Sequence, residues 1–296
     1  MDEYRSGLVG VLGQTNVGKS TFLNSILGEK LLLTSTKPQA TRNRIRCVLT
    51  TDRAQIVFVD TPGLHHPRTK LSRYIVRKAY RSLRGLDVLI YVIEAWGRLD
   101  PFDREIMERL GKETPPVILL VNKIDIAKRG ALEKTLVAYA ETGRFAELIP
   151  ISATEGTGLD DALETLIGYL PVTPPLFPPE VKYDQSEEFL IGELIREKAT
   201  ELTHREVPYS IAVRVKWIVE RDDGIVEIKA EIITERESQK GIVIGRGGRM
   251  IKEIGTRARA DIERLLGRRV YLELIAKVRP SWTSDEEKIR ELTGSE

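Results

Sequence analysis

The sequence predicts an α/β chain in two parts: a mostly parallel sheet covered by helices on both faces, followed by a smaller α+β part. Three observations predict it. Up to residue 170, continuous Val/Ile/Leu runs alternate with amphipathic helical patterns, as buried parallel strands and their crossover helices require. Residues 171–179 then read PVTPPLFPP, whose prolines neither continue a helix nor sit inside a sheet. Beyond them the texture changes to one helix, two alternating strands, a glycine-rich turn, a basic helical stretch and a last strand.

In the first part, GLVGVLG reads as a strand and loop, and STFLNSILG as a helix. RIRCVLTT and AQIVFVD form a strand pair around Asp52 and Arg53. A helix over LSRYIVRKAYRSL precedes the strand DVLIYVIEA, the helix FDREIMERL and the strand VILLVNK. ALEKTLVAYAE, ELIPISA and LDDALETLIGYL follow as helix, strand and helix. In the second part, EEFLIGELIREKATEL is an amphipathic helix, and YSIAVRVKWIVE and IVEIKAEIITER pair across a turn at Asp222, Asp223 and Gly224. GIVIGRGG leads into a helical stretch over 249–267, interrupted at Gly255, and RRVYLELIAKVR is the last strand. The order is α-β-β-α-α-β. The expected division is 1–170, a stiff linker over 171–183, and 184–296 including a C-terminal tail.

Composition narrows the function classes. The 296 residues are 41% hydrophobic and 30% charged, with a net charge of +2. Cores are affordable, and any nucleic-acid surface must be a local cluster of cations. One cysteine, Cys47, excludes an intramolecular disulfide or a cysteine-rich zinc site and reads as a small strand residue. His65, His66 and His204 lack metal-ligand spacing, and the first two are expected in a mobile loop. MDEYRSG does not read as a signal peptide, and no apolar run approaches membrane-spanning length, so the expectation is a cytoplasmic chain.

Residues 13–20, GQTNVGKS, match the phosphate-loop pattern between a strand and a helix. Glycines let main-chain N–H groups approach phosphates, and the helix start adds its positive end. Lys19 supplies a cation to the β and γ phosphates, and Ser20 a hydroxyl oxygen to Mg²⁺. The nucleotide-contacting stretch is Gly13, Gln14, Thr15, Asn16, Val17, Gly18, Lys19, Ser20 and Thr21. DTPG follows a buried strand, which places Asp60 to hold Mg²⁺ and the Gly63 N–H near the γ-phosphate.

NKID at 122–125 selects guanine: the Asp125 carboxylate accepts from N1–H and N2–H₂, a donor pair that adenine lacks. Asn122 suits the base edge and a tie to the phosphate loop, the Lys123 stem covers the ring, and Ser152, Ala153 and Thr154 bring a main-chain N–H to guanine O6. An ATP enzyme of the same loop class is the competing reading, and NKID argues against it. GRGG within GIVIGRGGRMIKEIG suggests a loop that clamps a single-stranded nucleic-acid backbone, with Ile244, Gly245, Arg246, Gly247, Gly248, Arg249 and Lys252 as contacts. Arg257 and Arg259 extend the basic helix, and Ile242, Ile244, Ile251 and Ile254 are expected as an apolar floor for bases.

The ordered set GQTNVGKS, DTPG, NKID and SAT resembles the translation-factor-related P-loop GTPases, and over nearly the whole chain the bacterial ribosome-assembly GTPases that carry a type II KH domain. The resemblance implies a GTP/GDP-bound, Mg²⁺-dependent GTPase. It implies a KH domain on the single-stranded 3′ region of 16S rRNA and a role in 30S subunit assembly. The chain is expected to be a monomer, with peripheral contact at the inner membrane allowed. KPQATRNRIRC resembles the switch region, with Thr41 the threonine that joins Mg²⁺. Where the family often has Arg-Pro, this chain has Gln14 and Thr15, whose side chains are expected to point away from the phosphates. Leu64 stands where many signalling GTPases place a water-orienting glutamine, which implies slow intrinsic hydrolysis. In related GTPases an asparagine at the position of Asn16 coordinates K⁺ in place of an arginine finger; the alternative is that Asn16 only shapes the loop. A GTPase of RNA modification or membrane work, using its C-terminal part to dock a protein, is the competing function.

Overall fold

A computed structural model describes residues 3–28, 32, 45–67, 69–110 and 115–293. They fall into two compact units, one of 3–184 apart from a stretch at 67–75, the other of that stretch and 185–293.

In the first unit six strands lie in the order β2-β3-β1-β4-β5-β6. They are β1 (Arg5–Gly13), β2 (Ile45–Thr50), β3 (Ala54–Asp60), β4 (Val88–Glu94), β5 (Val117–Asn122) and β6 (Glu147–Pro150). β2 runs antiparallel to β3 through a turn in which Thr51 Oγ1 caps the Ala54 N–H, and all other pairs are parallel. Helices α1 (Lys19–Leu27), α3 (Pro101–Leu110), α4 (Ala131–Ala140), α5 (Leu159–Tyr169) and the second half of α2 (Lys70–Arg81) complete the alternation. Every residue of β3 and β5 is buried, which is why those strands read as unbroken apolar runs. Cys47 is a buried strand residue in β2. The parallel strands all point their C-terminal ends at one edge, so Gly13, Asp60, Glu94, Asn122 and the segment after Pro150 emerge together.

The proline segment belongs to this unit. Ser6 N–H donates to Pro171 O, and the Gln55 side chain takes the N–H groups of Leu176 and Phe177 while donating to Phe177 O. Val48 N–H reaches Lys182 O at 2.8 Å. Residues 171–184 are therefore a strap bonded to β1, β2 and β3, where a stiff linker over 171–183 was the expectation. Proline removes donors from the segment, but its carbonyls and the intervening residues still pair.

The second unit has three strands in the order β7-β8-β9: β7 (Ala212–Glu220), β8 (Val226–Thr234) and β9 (Val270–Val278). The first pair is antiparallel and the second parallel. α6 (Glu187–Leu202) precedes them, capped by Ser186 Oγ, and α7 (Glu237–Ile244) and α8 (Arg249–Leu266) lie between β8 and β9. The core joins Ile191, Ile195, Ile228, Ile232, Val243, Ala258 and Ile262.

Two sequence expectations change here. α8 runs unbroken through Gly255, because Ile254, Ala258 and Ile262 on either side of it are buried in the core and hold the helix. Burial of those three side chains outweighs the ~1 kcal/mol a helical glycine loses against alanine. The C-terminal tail also contains a helix, α9 (Glu286–Thr293), whose Ile289 and Leu292 pack with the buried Trp282. Among the described residues no helix is long and apolar enough to cross a membrane.

Candidate functional site

The nucleotide site is built at the C-terminal strand edge. Gly18 caps α1 with φ 98°, and a Cβ there would meet Asn122 Nδ2 at 2.2 Å, so both backbone angle and space demand glycine. Lys19 is buried, and its Nζ donates to Gly13 O at 3.1 Å and Gln14 O at 2.7 Å. Burial pulls its pKa down to about 8, against the opposing charge of Asp60. Asp60 is fully buried at the end of β3, in register with Val11 of β1, and Thr61 Oγ1 donates to Val11 O. Gly63 lies against the phosphate loop: a Cβ would be 2.9 Å from Thr15 Cα and 3.1 Å from Lys19 Nζ. Leu64 is buried, and its main chain bridges Gln14, accepting from Thr15 N–H and donating to Gly13 O.

Asn122 ties three loops together. Its Nδ2 donates to Val17 O at 2.8 Å, and its Oδ1 accepts from Ala153 N–H at 3.0 Å. Lys123, held at φ 63°, donates to Asn16 O at 2.8 Å and pairs with Glu94. Asp125 is exposed and accepts from Ser152 Oγ at 2.6 Å. Ala153 O receives Ser25 Oγ from α1, and Thr154 is exposed beside it. Ser20 and Thr21 open α1 directly behind Lys19. The structure thus brings the phosphate-loop residues, Asp60, Gly63, Asn122, Lys123, Asp125 and Ser152 to one edge. Thr41 lies outside the described residues. Sequence reasoning missed Glu94, Ser25 and Asp103; the last takes the Gln14 side chain. His65 and His66 lie in a loop, as expected, but their contacts were not foreseen: His65 meets Gly63 O, and the His66 ring packs at a tilt against Phe102 with centroids 4.1 Å apart.

The second unit carries a different surface. Gly245 has φ 70° and ψ 172°, a conformation open to glycine, and a Cβ there would lie 2.7 Å from Met250 Cβ. The turn Gly245–Gly248 thereby joins α7 to α8 at close quarters, with Gly247 and Gly248 also at positive φ. Beside it a groove of about 320 Å³ is lined by Ile251, Lys252, Gly255, Thr256 and Arg259 of α8 and Tyr271, Leu272 and Leu274 of β9. Tyr271 is half exposed, with the Arg221 guanidinium 4.9 Å from its ring centre. Arg257, Arg264 and Arg268 are paired with Glu253, Asp261 and Glu220. Among the described residues, Arg246, Arg249, Lys252 and Arg259 have no such acidic partner, and they surround the turn and groove. Ile254, expected in the floor, is in the core instead; Ile251 lines the groove, Ile244 is half-buried and Ile242 is exposed. Tyr271 escaped the sequence reading because a tyrosine in an alternating strand equally suits a core face.

A phosphate loop with a guanine-reading NKID on a mostly parallel sheet, and a βαα turn of GRGG type beside a basic groove, define a P-loop GTPase carrying a KH domain. Comparison with known proteins agrees. The profile of the family described as 50S ribosome-binding GTPase matches residues 8–123, and that of the KH domain residues 206–283. GTPase Era of Lacticaseibacillus paracasei is 46% identical over 99% of this chain and 97% of its own length, and that of Syntrophus aciditrophicus is 47% identical over 97% and 94%. A crystal structure of Era with MgGDPNP and nucleotides 1506–1542 of 16S ribosomal RNA superposes with a TM-score of 0.93 at 40% identity, covering 99% of this chain and all of that one. A point variant of Aquifex aeolicus Era bound to GDP·AlF4⁻ gives the same score, identity and coverage. The chain belongs to the Era family of GTPases.

Proposed function

We propose that this GTPase is a nucleotide-controlled switch that binds the single-stranded 3′ end of 16S rRNA and assists assembly of the 30S subunit in the cytoplasm. The observation that carries the reading is the set of cations without acidic partners, Arg246, Arg249, Lys252 and Arg259, around the GRGG turn and groove of a chain that also holds a guanine nucleotide site. The Era complex with 16S rRNA nucleotides supports the choice of ligand. We draw the domain boundary at Asp184, where the strap ends.

The residues divide the work by chemistry. Main-chain N–H groups of the Gln14–Thr21 loop, apart from that of Thr15, cradle the phosphates, and Lys19 balances their charge from a buried position where it is worth more than in water. The hard oxygens of Ser20 and Asp60, with Thr41, would hold Mg²⁺. When bound, that ion neutralises charge on the β and γ phosphates. The Gly63 N–H contacts the γ-phosphate and reports its loss. Asp125, oriented by Ser152, reads the guanine edge. Buried Leu64 has no group to orient a water, so intrinsic hydrolysis is slow. Asn16, exposed in the loop, would hold K⁺, whose charge would add to stabilisation of the transition state; equal rates in K⁺ and Na⁺ would remove this element.

In the RNA site, Gly245–Gly248 let the backbone of about four nucleotides approach, the cations take phosphates, and Tyr271 offers a stacking face. The test is binding of a single-stranded RNA matching the 16S 3′ end, with the protein loaded with a non-hydrolysable GTP analogue and then with GDP. Tighter binding in the GTP state is expected. Equal binding in both states defeats the switch, and none in either moves the C-terminal domain towards a protein partner.

A further inference from the structure

Asp103 stands in the first turn of α3, 3% exposed, outside the nucleotide-binding motifs. Its Oδ1 accepts from Tyr91 OH of β4 at 2.5 Å and from Gln14 Nε2 at 3.0 Å, and its Oδ2 accepts from Tyr139 OH of α4. No cation is among these partners. Burial raises its pKa above the usual carboxylate range, while the three donors pull it back. Three neutral donors converging on two oxygens match an acceptor-only carboxylate.

Gln14 is the first residue after β1, and it is clamped on every side. Asp103 holds its side chain, its carbonyl oxygen accepts Lys19 Nζ at 2.7 Å, and its flanking peptide groups exchange hydrogen bonds with Leu64 at 3.0 and 3.2 Å. A shift of Gln14 therefore moves two things at once: the ammonium that meets the β and γ phosphates, and the Gly63–Leu64 segment that senses the γ-phosphate. Tyr91 and Tyr139 anchor the carboxylate to the sheet and to α4, so the clamp refers the loop to the rigid part of the domain.

We propose that Asp103 is a positioning residue that acts through Gln14 to seat the phosphate loop against the Gly63–Leu64 segment, so that preference for GTP over GDP depends on a carboxylate outside the nucleotide site. The inference rests on GQTNVGKS being the phosphate loop, and binding of both nucleotides by the unaltered protein reports on that separately.

A core residue of purely structural value would lower stability and leave the ratio of GTP-analogue to GDP affinity alone. The measurement is that ratio, from fluorescent-nucleotide titrations of the full chain, beside the melting temperature. Gln14→Met removes the donor and keeps the side-chain length. It is expected to weaken GTP-analogue binding on the order of tenfold and GDP binding on the order of threefold, with little change in Tm. Gln14→Lys offers the same carboxylate a charged donor and should restore the ratio, but not when combined with Asp103→Asn. Tyr139→Phe, which loosens the anchor but spares the Gln14 contact, should lower Tm and shift the ratio in the same direction as Gln14→Met but by less. An unchanged ratio in Gln14→Met overturns the proposal, as does a Gln14→Lys protein whose ratio is independent of Asp103.

Discussion

Replacing Asn122 with alanine removes the strap between the phosphate loop, NKID and the Ser152–Thr154 segment. Two buried main-chain groups, Val17 O and Ala153 N–H, then lose partners at 2.8 and 3.0 Å. Each buried group left unsatisfied costs about 1–3 kcal/mol, so the pair sets a span of about 2–6 kcal/mol. Water entering the gap recovers part of that, and the lower half, about 2–4 kcal/mol, is the expected loss of stability in urea unfolding of the nucleotide-free protein. Freed from each other, the loops must also be ordered by the nucleotide, which weakens GDP binding by about tenfold or more, or ~1.4 kcal/mol. Asn122→Asp separates the two bonds. It keeps an oxygen for Ala153 N–H but turns an acceptor towards Val17 O, so the loss falls on the phosphate loop. Fluorescent-GDP titration of the two variants decides the matter. An Asn122→Asp protein that binds GDP within twofold of the unaltered chain would refute the reasoning.

Ser152→Ala leaves Asp125 without its 2.6 Å donor and should weaken guanine-nucleotide binding about fivefold to tenfold by the same titration. Arg249→Ala is expected to weaken RNA binding and flatten the salt dependence of log K by about 0.7, whereas Arg257→Ala, already paired with Glu253, leaves that slope nearly unchanged. Glu291 accepts from Arg279 and Arg214, and these bonds lower its pKa below the ordinary 4.5. A lowered folded-state value means stability that is present above pH 4.5 and lost as pH falls through the folded pKa. Glu291→Gln should therefore be less stable than the parent chain at neutral pH, and the difference should vanish at the acid end of a pH series of thermal melts.

Much of the nucleotide site is legible in the sequence because its parts are short. A phosphate loop needs its glycines, lysine and serine within eight positions, and each of DTPG and NKID follows a strand whose apolar run is itself visible. The KH order of elements is legible for a similar reason, since alternation and helical spacing are local. Gly255 misleads because its cost to the helix is local, while the burial of Ile254, Ala258 and Ile262 that holds the helix is not. Ile254 misleads because helical spacing does not say which apolar stripe meets the core. The strap over 171–184 escapes for a related reason: proline content announces the end of regular structure but not what Ser6, Val48 and Gln55 will do with the carbonyls and N–H groups that follow.

Residue order alone points to the chemistry proposed for this chain: Lys19 for phosphate, Asp125 for guanine, and GRGG with its basic flank for a nucleic-acid backbone. Those assignments depend on side-chain type at fixed short spacing, which covalent connection already enforces. Folding decides the partners that orient them: Gln14 meets Asp103 across 89 positions, Asn122 meets Val17 across 105, and Lys123 meets Glu94 across 29. Such pairs exist only once the sheet order has brought separate strand ends to one edge. Folding also decides which arginines already have an acidic partner, because charge on a helix is free for RNA only where no carboxylate packs beside it.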